Sequence, residues 1–142
     1  MMFTGLLVIN AIWFTMAFYT FSIKHRNFAK VVTPRDQRNH HLFDVLAESG
    51  RFLGGMNFAF ALCNIMLLLN LDLFPSDAQR AFLLFIFGIA HGSQFIFNVP
   101  VALENRKGGG VWQVFKMPML FIFVTDFVTM ALNLAGSALL IL

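Results

Sequence analysis

A chain of 142 residues that is 58% hydrophobic and only 12% charged carries about half the charge of an ordinary soluble domain, which excludes a water-soluble globule and fits one compact membrane domain. Its net charge of +3 and pI near 9.5 would suit nucleic acid if the cations clustered on a recognition surface, but they lie between apolar runs with no RNA- or DNA-binding motif. The single cysteine, Cys63, excludes an internal disulfide and a dithiol redox centre, and its apolar surroundings leave the thiol unreactive.

The composition and periodicity predict an all-α integral membrane bundle of four transmembrane helices, spanning about 3–22, 46–71, 80–99 and 117–141. The first span has no cation before it, a longer apolar run than a secretory signal, and a basic segment after it. It therefore reads as a retained helix with its N-terminus outside. Asn10 and Trp13 are its polar handles, and an indole N–H at mid-span needs a partner.

Residues 24–44 form the one sizeable polar loop and hold five of the ten basic residues. Phe28, Val31 and Val32 interrupt the charges, so part of the segment is expected to lie along the headgroups as an amphipathic stretch, with Pro34 breaking any helix there. In the second span Arg51 can pair with Glu48 at i, i+3. Gly50, Gly54, Asn57, Ala61 and Asn64 then trace one stripe of small and amide side chains, the pattern of an interior face between membrane helices.

A turn over residues 72–79 offers Ser76 as N-cap, with Gln79 three residues on to complete a capping box. The third span carries His91, Gln94 and Asn98 on one helical stripe, and Pro100 is expected to help end it. The second basic loop, 101–116, contains Gly108-Gly109-Gly110 as a flexible hinge and Trp112 and Phe115 as headgroup anchors. In the fourth span Asp126, Thr129 and Asn133 repeat the polar stripe, and the C-terminus is expected at the membrane surface. Loops 23–45 and 100–116 share a side and hold most of the cations, so the positive-inside rule makes them cytoplasmic and both termini non-cytoplasmic.

Polar side chains at membrane depth must face protein or water. Counted from the predicted cytoplasmic ends at 1.5 Å per residue, Trp13, Asn57, His91 and Asp126 fall within about one helical turn of a common level. They are expected to form a layer, with Gln94, Asn64 and Asn133 above or below it. A carboxyl group in hydrocarbon requires a proton or a donor partner, and His91 is the one basic side chain at that depth. A His91–Asp126 pair either holds a proton, orients a ligand or supplies acid–base catalysis, or is a buried cross-link that fixes helix register.

A second cluster, His40, Asp44 and Glu48, would share a face at i, i+4, i+8 if the second helix began early, as candidates for a metal site. The alternative is an exposed helix start with acids favoured by the dipole. No cofactor is expected. A haem would have His91 as its one intramembrane axial histidine, and a lipid would be held by apolar walls.

Gly50-Arg51-Phe52-Leu53-Gly54-Gly55 opens the second span after a long basic loop, and Phe87-Gly88-Ile89-Ala90-His91-Gly92 lies midway along the third. On these stretches the chain resembles small four-span membrane proteins, the DoxX-like proteins and the scaffold protein of the sterol C4-demethylation complex. The resemblance implies a bundle that supports other membrane enzymes, often of lipid metabolism, without catalysis of its own, and it assigns no functional residue. A rival resemblance is to the trimeric membrane glutathione transferases and leukotriene synthases. Glu48, Arg51 and Asn57 echo their second helix, but the adjacent arginine and alanine are absent, which argues against thiolate activation. Small multidrug transporters place their essential carboxylate in the first helix, where this chain has no acid.

The leading expectation is a non-catalytic membrane subunit or scaffold that docks other membrane proteins or a second copy and binds a lipid-like molecule. The alternative is a small membrane enzyme acting on a lipophilic substrate with His91 and Asp126 as acid–base pair. A proton-linked carrier is a third option.

Overall fold

The computed structural model describes residues 1–142, all helical and loop. Four helices are long and apolar enough to cross a bilayer. Helix α1 (Met2–Phe18) runs into a single π-helical turn, Tyr19–Ile23. Helix α2 (His25–Val32) follows, then α3 (His41–Leu69), α4 (Asp77–Arg106) and α5 (Met119–Ile141).

Helix α2 is the amphipathic stretch anticipated between the charges. Its Ala29 is buried against Phe43 and Ala47 of α3 while Arg26 and Lys30 stay exposed. It stops at Val32 because Thr33 precedes Pro34 and takes the extended conformation that proline imposes on its neighbour. Helix α3 begins earlier than residue 46: His40 is its N-cap, with Nδ1 accepting the Leu42 backbone N–H at 3.3 Å. Helix α4 starts as anticipated, with Ser76 and Gln79 exchanging both bonds of a capping box.

Pro100 does not end α4, which continues to Arg106. A proline inside a helix costs about 3 kcal/mol, but the turns beyond it are held by packing. Val101 and Ala102 bury against Val114 of the following loop, while Pro100 itself lies on the exposed side. Nor is the glycine triplet a free hinge. Asn105 donates to the carbonyls of Gly109 and Trp112 at 2.9 Å and accepts the Val114 N–H at 2.7 Å. Gly108 and Gly110 supply the positive φ values, 85° and 99°, that this latched turn needs.

The helices associate as two pairs, α1 along α3 and α4 along α5, and α1 joins the pairs by touching α4 and α5. The core follows that seam: Leu7 and Phe14 of α1, Ala61 and Leu67 of α3, Leu84 and Phe87 of α4. The segment between α1 and α3 and the loop between α4 and α5 meet at one end of the bundle, here called the loop end. Nine of the ten basic residues lie in or beside those two segments, Arg80 being the exception.

The closest backbone approach is at Gly54. The π-helical turn swings Ser22 onto α3, where its hydroxyl donates to the Arg51 carbonyl at 3.1 Å. A Cβ on residue 54 would stand 2.7 Å from the Ser22 backbone nitrogen and collide with its hydroxyl oxygen. Gly54→Ala is therefore expected to push the turn off α3 and to cost about 1–3 kcal/mol, the usual range for overpacking. Reversible unfolding in mixed detergent micelles measures this; a change below about 0.5 kcal/mol would mean the turn has room to move.

Candidate functional site

Five side chains from α1, α4 and α5 meet in the middle of the bundle. Asn10 and Asn133 exchange both amide bonds, each N–H donating to the other's oxygen at 2.9 Å. The second proton of the Asn133 amide goes to the Thr129 carbonyl at 2.8 Å. With its nitrogen committed to Asn133, Asn10 presents only its oxygen to His91, whose Nε2 lies 3.1 Å away. Nε2 therefore carries the proton and donates.

That assignment turns Nδ1 of His91 toward Asp126, 3.7 Å from Oδ1. The gap is too long for a direct hydrogen bond, and both side chains are buried. Asp126 Oδ1 also accepts the Trp13 indole N–H at 2.8 Å, so the mid-span tryptophan has its partner. A bare nitrogen facing a bare carboxylate oxygen would set lone pair against lone pair. Nδ1 of His91 therefore stays without a hydrogen-bond partner. Phe14 stacks on the imidazole with centroids 4.4 Å apart and rings 12° from parallel, and so fixes its plane.

The layer expected from depth counting is partly assembled. Trp13, His91, Asp126 and Asn133 are joined. Asn57 and Asn64 are not, because each turns its amide back onto its own helix, at the Leu53 and Phe60 carbonyls. The reason is the partner: α3 packs on an apolar stretch of α1, with Phe14 stacked on Phe60. Their oxygens are buried without a donor. Gln94 is also outside the network, and its amide makes no hydrogen bond within the chain. Asn10, absent from that layer, is its hub. The signal available for it was the pairing of mid-span amides in the first and last helices.

The network borders a cavity of about 470 Å³ at the loop-end half of the bundle, a size usual for small-ligand sites. Its walls are apolar, including Phe28, Leu46, Leu53, Phe97 and Ile122, and its polar groups include Gln94 and Asp126. Asp126 lies seven residues into α5 from Met119, about 10 Å of helix rise. Its second oxygen, Oδ2, is buried and has no hydrogen-bond partner. A buried acceptor left open is costly, and the residue that carries it shares the cavity lining with Gln94. His91 does not line the cavity; it acts on that site only through Asp126.

Compared with known families, curated proteins and solved structures, the chain finds no match. Its two glycine-bearing stretches have a packing account of their own. Gly54 meets Ser22 and Gly88 meets Leu134, so both mark helix crossings.

The metal candidates are dispersed. His40 caps α3 from outside the helix, which removes it from the i, i+4, i+8 face. Asp44 pairs with Arg26 at 2.6 Å, and Glu48 lies between Arg51 at 3.1 Å and His25 at 3.2 Å. The three residues form no ligand set. Nor does His91 suit a haem, since its two ring nitrogens face Asn10 and Asp126 inside the sealed core.

Proposed function

We propose that this chain is a non-catalytic integral membrane subunit that binds a lipid-like molecule, with the polar end of the ligand donating a hydrogen bond to Asp126. One observation carries the reading: Asp126 lines a largely apolar cavity and has one buried oxygen with no partner. The apolar walls suit a hydrocarbon body, while Asp126 Oδ2 and the Gln94 amide suit a hydroxyl or amine. His91, Trp13 and Asn10 hold the carboxyl group in place. The resemblance to small four-span scaffold proteins is in keeping with a supporting role. The outward phenylalanines, Phe52 and Phe82 among them, give helices of partner proteins or of a second copy a surface to dock on. By the positive-inside rule the loop end is cytoplasmic and the termini are outside.

The test compares 1-hexadecanol with its methyl ether, which has the same chain but no donor. The purified protein in mild detergent should prefer the alcohol by about tenfold, the worth of a hydrogen bond to a charged or strongly polar acceptor. Asp126→Asn keeps an oxygen for Trp13 and places an N–H donor at the open position, so alcohol and ether should then bind alike. Equal binding in the wild type, or a preference that survives in the variant, would overturn the reading.

The buried approach of His91 to Asp126, with Asp126 on the cavity lining, favours a second reading, acid–base chemistry on the bound lipid with Asp126 as the exchanging group. Conversion of a lipid during incubation with membrane extract, abolished by Asp126→Asn, would replace the first reading with this one.

A further inference from the structure

Above the cavity, at the loop end, a cleft of about 710 Å³ separates the segment after α2 from the loop before α5. Lys30, Arg35 and Arg38 line one side and Lys116 the other, with no acidic residue among the lining groups. None of the four cations is in an ion pair, whereas Arg26, Arg51 and Arg80 each have a carboxylate within 4 Å. Arg38 is tied down: its guanidinium donates to the carbonyls of Lys30 and Thr33 at 2.6 and 3.1 Å. That brace holds the turn around Pro34 in shape and keeps Lys30 and Arg35 on the cleft. The nearest acid in the chain, Asp36, lines the adjoining pocket instead.

Below the cations the lining turns apolar, with Val31, Val32, Met117 and Met119. Trp112 stands at the boundary, its indole N–H bonded to Asn98 at 3.1 Å. Unpaired cations over an apolar floor, where a membrane protein leaves the bilayer, match a phosphate joined to the start of two acyl chains.

We infer that this cleft is a binding site for the phosphate headgroup of an anionic phospholipid from the surrounding leaflet. The site goes beyond the cavity reading: its cations lie outside the cavity and Asp126 takes no part in it. Three unpaired cations converge on one headgroup, each attracting an anionic lipid surface by an amount that screening by salt reduces.

The experiment uses the full chain in mild detergent, titrated with phosphatidylglycerol and with phosphatidylcholine of identical acyl chains, read by native mass spectrometry and by tryptophan fluorescence. Phosphatidylglycerol is expected to bind saturably, at least about tenfold more tightly than phosphatidylcholine, with the preference falling as salt rises. The triple variant Lys30→Gln/Arg35→Gln/Lys116→Gln should reduce the preference to about twofold or less, since all three side chains are exposed and their loss leaves the helices intact. Arg80→Gln, at the opposite end, should leave it unchanged. Equal binding of the two lipids to the wild type, or a preference retained in the triple variant, would overturn the site. Displacement of the lipid by millimolar inorganic phosphate would overturn the assignment to a lipid, because a free anion would then suffice. Failure here leaves the alcohol-over-ether result untouched, and failure of that test leaves the cleft standing.

Discussion

Replacing His91 with leucine is expected to lower the unfolding free energy of the bundle by about 2–4 kcal/mol, from a buried acceptor left without its donor and a lost ring contact. The imidazole is fully buried, with Nε2 3.1 Å from the Asn10 oxygen and its ring stacked on Phe14. Leucine removes the imidazole beside Asp126, strips a donor from Asn10, and takes the flat ring away from Phe14. Unfolding in mixed detergent micelles, followed by tryptophan fluorescence, measures the loss. The double variant His91→Leu/Asp126→Asn separates pairing from packing. Its amide is neutral and still accepts from Trp13, so about 1 kcal/mol should return, while the loss at Asn10 and Phe14 remains. The same double variant should show no preference for alcohol over ether. A harmless His91→Leu would show that the pair is no cross-link at all.

Asn10→Leu is expected to cost about 2 kcal/mol, from three interhelical contacts at about 0.6 kcal/mol each and a small penalty for amides left without partners. Leucine is close to asparagine in size, so the loss is one of hydrogen bonding more than of volume. Asn133→Leu removes the same reciprocal pair from the other side. The two substitutions together should therefore cost about 1 kcal/mol less than their sum. Additive costs would mean that the amides contribute independently, against the paired geometry seen at 2.9 Å.

Much of the architecture was legible in the residues. Four apolar runs became four helices, because backbone groups in hydrocarbon can be satisfied only within a helix or a closed barrel. Ser76 and Gln79 announced the start of α4, since a capping box is a local motif that needs no tertiary partner. Asp126 and His91 signalled an interior level, because neither can face lipid cheaply. Pro100 misled: its effect on a helix is local, but the turns after it are held by Val114, a residue in the next loop. The same distance in sequence hid the Asn105 latch, which turns a glycine triplet from a hinge into a braced turn.

The site itself was legible only in part. Depth counting ranks residues by level along each helix but says nothing about which faces meet, so Asn57 and Asn64 stood at the right heights beside the wrong neighbour. Asn10 lies one turn from Trp13, and it became the hub because α1 is the helix that touches both α4 and α5. His40 shows the same limit at a helix end: whether it belonged to the i, i+4, i+8 face depended on where α3 began.

What the residues alone determined is the set of apolar helices, their caps, the crowding of cations at one end, and the need for buried polar groups to find partners. Those follow from solvation and hydrogen bonding, which act on each segment wherever its neighbours lie. Tertiary structure decided the partners: α1 with α3, α4 with α5, Asn10 against Asn133, and one oxygen of Asp126 left open beside a cavity. Helix pairing is a competition among close-packed faces that differ by small energies, and a periodic pattern read one helix at a time does not contain its outcome.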